Sequence, residues 1–197
     1  MKKYGIIGYP LAHSFSRVFF TEKFSKEQID AQYVNFEFED IADFVQVIKE
    51  NTDLCGLNVT KPHKIAVMPF LDEIDEDAAS VGAVNVIAFR KTADGKTRLK
   101  GYNSDVYGFR ESIKPLLNSS HKKALVLGTG GAAQAVMYGL KQLGVEALFV
   151  SRRKSGDVLT YDEIDERLFS TYTVVVNATP LGMFPAIDDC PAIPYSL

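Results

Sequence analysis

The chain has 197 residues, enough for one large or two small domains, and 46% of them are apolar, enough to bury a core. Its 22 Lys and Arg against 25 Asp and Glu leave a formal charge of −3, so no basic excess draws it to nucleic acid. No apolar run approaches the ~20 residues of a membrane span, and Met1-Lys2-Lys3 enters a strand without the apolar core of a signal peptide. Cys55 and Cys190 lack metal-ligand spacing and read as reduced thiols of a cytoplasmic protein. The expected partners are small molecules, with no nucleic acid, no membrane and no metal.

Strands and helices alternate along the chain, the pattern of an α/β protein with mainly parallel sheets. Residues 4–7 predict a short strand closed by Gly8-Tyr9-Pro10, and 15–24 a helix. Val34, Phe36 and Phe38 alternate with Asn35 and Glu37, the period of a strand. Ile41, Phe44, Val45 and Ile48 mark one helix face. Residues 54–59 predict a strand followed by Thr60-Lys61-Pro62, residues 72–80 a short helix, and 83–89 another strand. Asp94-Gly95 is a hairpin turn into Arg98-Leu99-Lys100, which predicts one antiparallel pairing in an otherwise parallel sheet. A connector helix over about 104–117 and the polar break Asn118-Ser119-Ser120-His121 follow. The predicted division is an N-terminal, mostly parallel α/β substrate domain over 1–102 and a second domain over 103–197.

The second domain opens on its most informative stretch. Leu125-Val126-Leu127 feeds Gly128-Thr129-Gly130-Gly131-Ala132, and a helix starts at about Gly131. This is the Gly-x-Gly-x-x-Ala start of a Rossmann-like dinucleotide fold. Gly128 permits the tight turn, Gly130 lets backbone approach a pyrophosphate, and the helix aims its free N–H groups and positive dipole end at the anion. The next strand, over 147–150, ends at Ser151-Arg152-Arg153-Lys154. NAD-binding folds place an acid there for the ribose 2′-hydroxyl. Guanidinium groups instead bind a 2′-phosphate, so the cofactor read here is NADP(H). Strands at 123–127, 147–150 and 173–177 make three, against about six in a full dinucleotide fold. The second domain is therefore expected to lack its C-terminal end.

Four polar clusters punctuate the first domain. In His13-Ser14-Phe15-Ser16, two hydroxyls at a helix start form either a carboxylate cradle or a helix N-cap. In Asn58-Val59-Thr60-Lys61-Pro62-His63-Lys64, Asn58 and Thr60 face the same way at a strand end, and Pro62 stiffens the turn that places Lys64. Asn85, in Gly82-Ala83-Val84-Asn85, needs a hydrogen-bond partner if buried. In Gly101-Tyr102-Asn103-Ser104-Asp105, Ser104 is placed to cap the connector helix and Asp105 to favour its first turn.

These stretches occur in the order G-Y-P-L-A-H-S-F-S, N-V-T-K-P-H-K, G-A-V-N, G-Y-N-S-D-V-Y-G, G-T-G-G-A and N-A-T-P-L-G-M. The set closely resembles the shikimate dehydrogenase family over residues 5–197. The resemblance implies NADPH-dependent, reversible reduction of 3-dehydroshikimate to shikimate in aromatic amino acid (chorismate) biosynthesis, by a monomer or homodimer. It also implies roles by position. Ser14 and Ser16 match the serines that bind the substrate carboxylate. Lys64 matches the catalytic lysine, and Thr60, Asn85 and Asp105 match residues on the ring hydroxyls, with Asp105 paired to the lysine. Gly128, Thr129, Gly130, Gly131 and Ala132 match the pyrophosphate loop. Ser151, Arg152 and Arg153 fall where the family grips the 2′-phosphate, and Asn177, Ala178 and Thr179 near the nicotinamide ribose. Ser151 and Arg153 depart from the family's usual Asn and Thr. Lys154 stands where relatives that also use NAD carry an acid. The family's further segment, with a tyrosine and a glutamine that touch substrate, has no counterpart before Leu197. The alternatives are a quinate/shikimate dehydrogenase using both NAD and NADP, and a ligand-sensing relative without catalysis.

Overall fold

The computed structural model describes residues 1–12 and 14–196. His13, a member of the first polar cluster, and Leu197 lie outside the described residues. The chain divides into two compact units, Met1–Ser104 and Asp105–Leu197. No described helix is long and apolar enough to cross a membrane.

Unit 1 is a six-stranded sheet of β1 (Lys2–Gly8), β2 (Ala31–Glu37), β3 (Leu54–Val59), β4 (Glu73–Ile74), β5 (Val86–Lys91) and β6 (Thr97–Tyr102). The strand order is β2-β1-β3-β5-β6-β4. β1 lies parallel to β2 and β3, and β4 parallel to β6. The helices are α1 (Phe15–Lys26), α2 (Asp43–Glu50), α3 (His63–Ala66) and α4 (Glu76–Val81). Strand alternation sends Ile7, Leu57, Val59, Ile87 and Leu99 into one core with Phe44 of α2 and Val67. Ile6 and Tyr33 belong to a second cluster, packed against Phe20 and Phe24 of α1.

Two sequence expectations change here. The hairpin through Gly95, which takes φ +80°, pairs β5 with β6 as predicted, but β5 also runs antiparallel to β3. A tight turn fixes the relative sense of β5 and β6; it does not decide which of them lies beside β3. The helix expected over 72–80 is preceded by β4, because Glu73 and Ile74 pair with Lys100 and Gly101. α4 then starts at Glu76, after Asp75 accepts from the Asp77 N–H.

Unit 2 holds β7 (Lys123–Leu127), β8 (Glu146–Ser151), β9 (Leu159–Thr160) and β10 (Val174–Asn177), parallel throughout in the order β10-β7-β8-β9. Read from β9, this is the 3-2-1-4 order of a doubly wound nucleotide fold. α5 (Ser104–Ile113) enters the unit, with α6 (Gly131–Gln142) and α7 (Glu166–Thr171) further on. One sheet face packs Ala124 and Val126 on Ala133, Val136 and Leu140 of α6. The other packs Leu125, Leu127 and Val150 on Ile164 and Tyr172. The connector helix expected to reach 117 stops at Ile113, followed by a 3₁₀ turn over Lys114–Leu116. Pro115 has no N–H to continue the α-helical ladder.

Phe44 is fully buried, with its ring edge-on to Phe70 at 5.9 Å. Phe44→Ala is expected to destabilise the chain by about 3–5 kcal/mol. Urea denaturation reads this, and a loss below about 1 kcal/mol would place the core elsewhere.

Candidate substrate and nucleotide sites

In unit 1 the crossover from β1 to β2 and that from β2 to β3 place strands on opposite sides of β1. β1 and β3 therefore flank a topological switch point, where α/β folds bind ligands beyond the carboxyl ends of their strands. The two strand ends are stitched together. Tyr9 N–H donates to Lys61 O at 3.0 Å, and Thr60 N–H to Ile7 O at 2.9 Å. A Cβ on Gly8 would collide with the Thr60 methyl group and lie 3.0 Å from Lys61 O.

The serine cluster sits at the start of α1. Ser14 occupies the N-cap position, yet its side chain makes no capping bond. Its N–H donates to Leu11 O at 2.9 Å, while its Oγ is buried without a partner. Asn35 Oδ1 is likewise buried and unpartnered. Ser16 has a partner the sequence did not reveal. Tyr33 on β2 donates its phenol proton to Asn58 Oδ1 on β3 at 2.6 Å, and Ser16 hydrogen-bonds that same phenol. Burial pushes the Tyr33 phenol up to about 12, against the opposing effect of the Ser16 bond. The Tyr33 ring stacks on Phe20 at 4.8 Å, one helical turn beyond Ser16.

Lys64 lies half-buried on α3, a single turn of four residues. His63 N–H donates to Thr60 O at 3.0 Å, and Val84 N–H to Lys64 O at 2.8 Å. Those bonds bring the turn beside Thr60 and Asn85, because Val59 N–H donates to Asn85 O at 2.8 Å. The Asn85 carboxamide carries the structural bond that its burial demands. Its Oδ1 accepts the Ser104 N–H at 2.8 Å, and its Nδ2 lies 3.1 Å from Ser104 Oγ. Ser104 is thus the first residue of α5 rather than its cap, and a side chain from the neighbouring sheet receives its N–H. Asp105 follows in the first turn of α5, where the helix dipole favours an acid.

In unit 2, β7 and β10 flank the corresponding switch point. Gly128 takes φ +112°, and a Cβ there would stand 3.1 Å from Ala178 O and 3.4 Å from the Thr179 methyl group. Only glycine suits that turn. Gly130 is different. Its φ of −76° is open to any residue, and a Cβ there would meet no protein atom within 4 Å. The position a Gly130 Cβ would take is therefore open among the described residues, which fits a phosphate approaching the backbone there. Asn177 organises the loop after β10. Its Oδ1 accepts from Thr179 N–H at 3.0 Å and from Thr179 Oγ1 at 2.6 Å.

The basic turn after β8 sorts itself by partners. Glu163 takes Lys154 Nζ at 2.6 and 2.9 Å and Thr160 N–H at 2.7 Å. The Lys154 bond, then the Thr160 N–H, hold the Glu163 carboxyl down to about 2. Arg152 and Arg153 are exposed at the end of β8. No acidic residue occupies the end of the strand itself, where Ser151 stands. These donors fit a dinucleotide with a 2′-phosphate better than one with a bare 2′-hydroxyl.

Fold and strand-end sites together define a two-unit α/β protein of the Rossmann class. The model of the shikimate dehydrogenase substrate binding domain matches residues 6–87. A shikimate dehydrogenase (NADP(+)) of Caldicellulosiruptor saccharolyticus is 33% identical over 207 residues, covering 97% of this chain and 72% of the relative. The crystal structure of shikimate dehydrogenase from Aquifex aeolicus superposes with a TM-score of 0.82 at 30% identity, over 100% of this chain and 74% of that one. The Thermus thermophilus enzyme, solved in complex with NADP(H) and shikimate, gives a TM-score of 0.76 at 26% identity, over 98% and 74%. The chain belongs to the shikimate dehydrogenase family.

Asn85→Ala leaves the Ser104 N–H without its acceptor, and is expected to destabilise unit 1 by about 1–3 kcal/mol. Thermal denaturation of the variant checks this. An unchanged melting temperature would show that the carboxamide bonds carry no structural weight.

Proposed function

We propose that this protein binds 3-dehydroshikimate and NADPH and reduces the ketone reversibly to shikimate, as a cytoplasmic step of aromatic amino acid biosynthesis. The observation that carries the reading is Ser14 Oγ, a buried hydroxyl left without a partner at the N-terminus of a twelve-residue helix. An unsatisfied buried hydroxyl is destabilising. A carboxylate supplies the missing acceptor and is favoured by the helix dipole. Ser16 is the second hydroxyl of that cradle.

Thr60, Asn85 and Asp105 are assigned to the ring hydroxyls on the family match, and Lys64 to the proton. Ketone reduction turns a carbonyl oxygen into an alkoxide, and the Lys64 ammonium gives it a proton. In the reverse direction neutral Lys64 Nζ accepts the hydroxyl proton, and the Asp105 carboxylate orients the ammonium. When bound, the nicotinamide cofactor supplies the hydride. Gly128, Thr129, Gly130, Gly131 and Ala132 would hold its pyrophosphate, Ser151, Arg152 and Arg153 its 2′-phosphate, and Thr179 the nicotinamide end. The presence of both Lys64 and Asp105 favours an enzyme over a ligand sensor. Arg153 and Lys154 at the end of β8 favour NADP over dual use.

Shikimate-dependent NADP reduction tests the reading directly, and no turnover with saturating shikimate and NADP would remove it. Lys64→Ala is expected to lower kcat by about 10²-fold or more with NADP affinity unchanged; an unaltered kcat would take the proton role from Lys64. Arg152→Ala with Arg153→Ala should weaken NADP by about 10- to 100-fold, as expected for lost charge-assisted bonds, and leave NAD unaffected. Calorimetric titration with each nucleotide measures this, and equal losses for both would argue against a 2′-phosphate site.

A further inference from the structure

We propose that His63 is the positioning residue of Lys64, holding the one-turn helix α3 in register with the substrate site through a buried hydrogen bond from its imidazole to the Phe38 carbonyl. The inference rests on the assignment of Lys64 to proton transfer. Four residues form too short a helix to be stable by itself, so α3 takes its place from outside contacts. His63 is 1% exposed, and its Nε2 lies 2.8 Å from Phe38 O. A carbonyl only accepts, so Nε2 carries the proton and donates. The imidazole also stacks on the Phe38 ring, with centroids 4.8 Å apart and planes 26° apart.

Phe38 in turn is fixed to the end of β1, because its N–H reaches Gly8 O at 3.4 Å. The contacts close a circuit. Gly8 packs on Thr60, Thr60 O accepts the His63 N–H, the His63 imidazole donates to Phe38 O, and the Phe38 N–H returns to Gly8. The ends of β1, β2 and β3 are thereby locked together through one side chain. Lys64 is the next residue, anchored on its other side by the Val84 N–H. Removing the imidazole donor leaves Phe38 O unsatisfied and lets α3 shift. A shift of about 1 Å in a proton donor can lower the rate by roughly 10²-fold.

The experiment compares His63→Phe, which keeps an aromatic ring against Phe38 but removes the donor, with His63→Gln, whose carboxamide N–H takes the place of Nε2–H. His63→Asn, too short to reach Phe38 O, serves as a second loss variant if His63→Phe does not fold, with folding followed by thermal melting. The expected result is a kcat lowered by about 10- to 100-fold in the Phe and Asn variants, with shikimate KM within about threefold, and recovery to within about threefold of wild type in the Gln variant. In a Lys64→Ala background, His63→Phe should lower the residual rate no further. Unchanged kcat in both loss variants, no recovery with Gln, or an equal further loss without Lys64 would each overturn the proposal. If wild-type protein reduces no NADP with shikimate, the assignment of Lys64 fails and this inference falls with it. Wild-type turnover with unaffected His63 variants removes the inference alone.

Discussion

Each unit of this protein depends on a close approach between the end of its first strand and the chain leaving that strand's neighbour. In unit 1 the contact is Gly8 against Thr60 and Lys61; in unit 2 it is Gly128 against Ala178 and Thr179. A Cβ on Gly8 has no room, one on Gly128 would crowd Ala178 O at 3.1 Å in a turn of φ +112°, and both glycines sit where crossovers diverge to opposite sides of a parallel strand pair. That divergence opens a crevice, and the missing Cβ lets the crevice floor be backbone.

The two sites differ in how they are held. Unit 1 relies on hydrogen bonds between residues distant in the chain. Tyr33 reaches Asn58, and His63 reaches Phe38, each across 25 residues. Asn85 receives the first N–H of α5. These bonds involve buried or half-buried groups, where an unmade hydrogen bond is most destabilising. Unit 2 relies more on local devices: the turn at Gly128, the Asn177 loop, and the capping box of Thr160 and Glu163. A nucleotide site built from glycine backbone and a helix terminus has less need of distant side chains.

That difference explains what the sequence reveals. The glycine loop, the basic turn at Arg152 and Arg153, and the strands at 54–59 and 123–127 are legible because their signals are local: period, turn residues and caps. The serine cluster was legible as a choice between cradle and cap, and in the structure Ser14 makes no capping bond. The direction of β5 against β3 was not legible, since the hairpin leaves it open. β9 is two residues long, too short for any periodicity. The Ser16–Tyr33–Asn58 chain and the His63 bond were hidden for another reason. Each residue reads as an ordinary strand or turn member until the sheet brings its partner across.

The most direct test of the account is a crystal structure of the protein with shikimate and NADP bound. The account predicts the shikimate carboxylate on Ser14 Oγ and Ser16 Oγ, Lys64 Nζ within hydrogen-bonding reach of the hydroxyl to be oxidised, and the 2′-phosphate on Arg152 and Arg153. A complex in which the carboxylate lies elsewhere and Ser14 Oγ keeps no partner would contradict it.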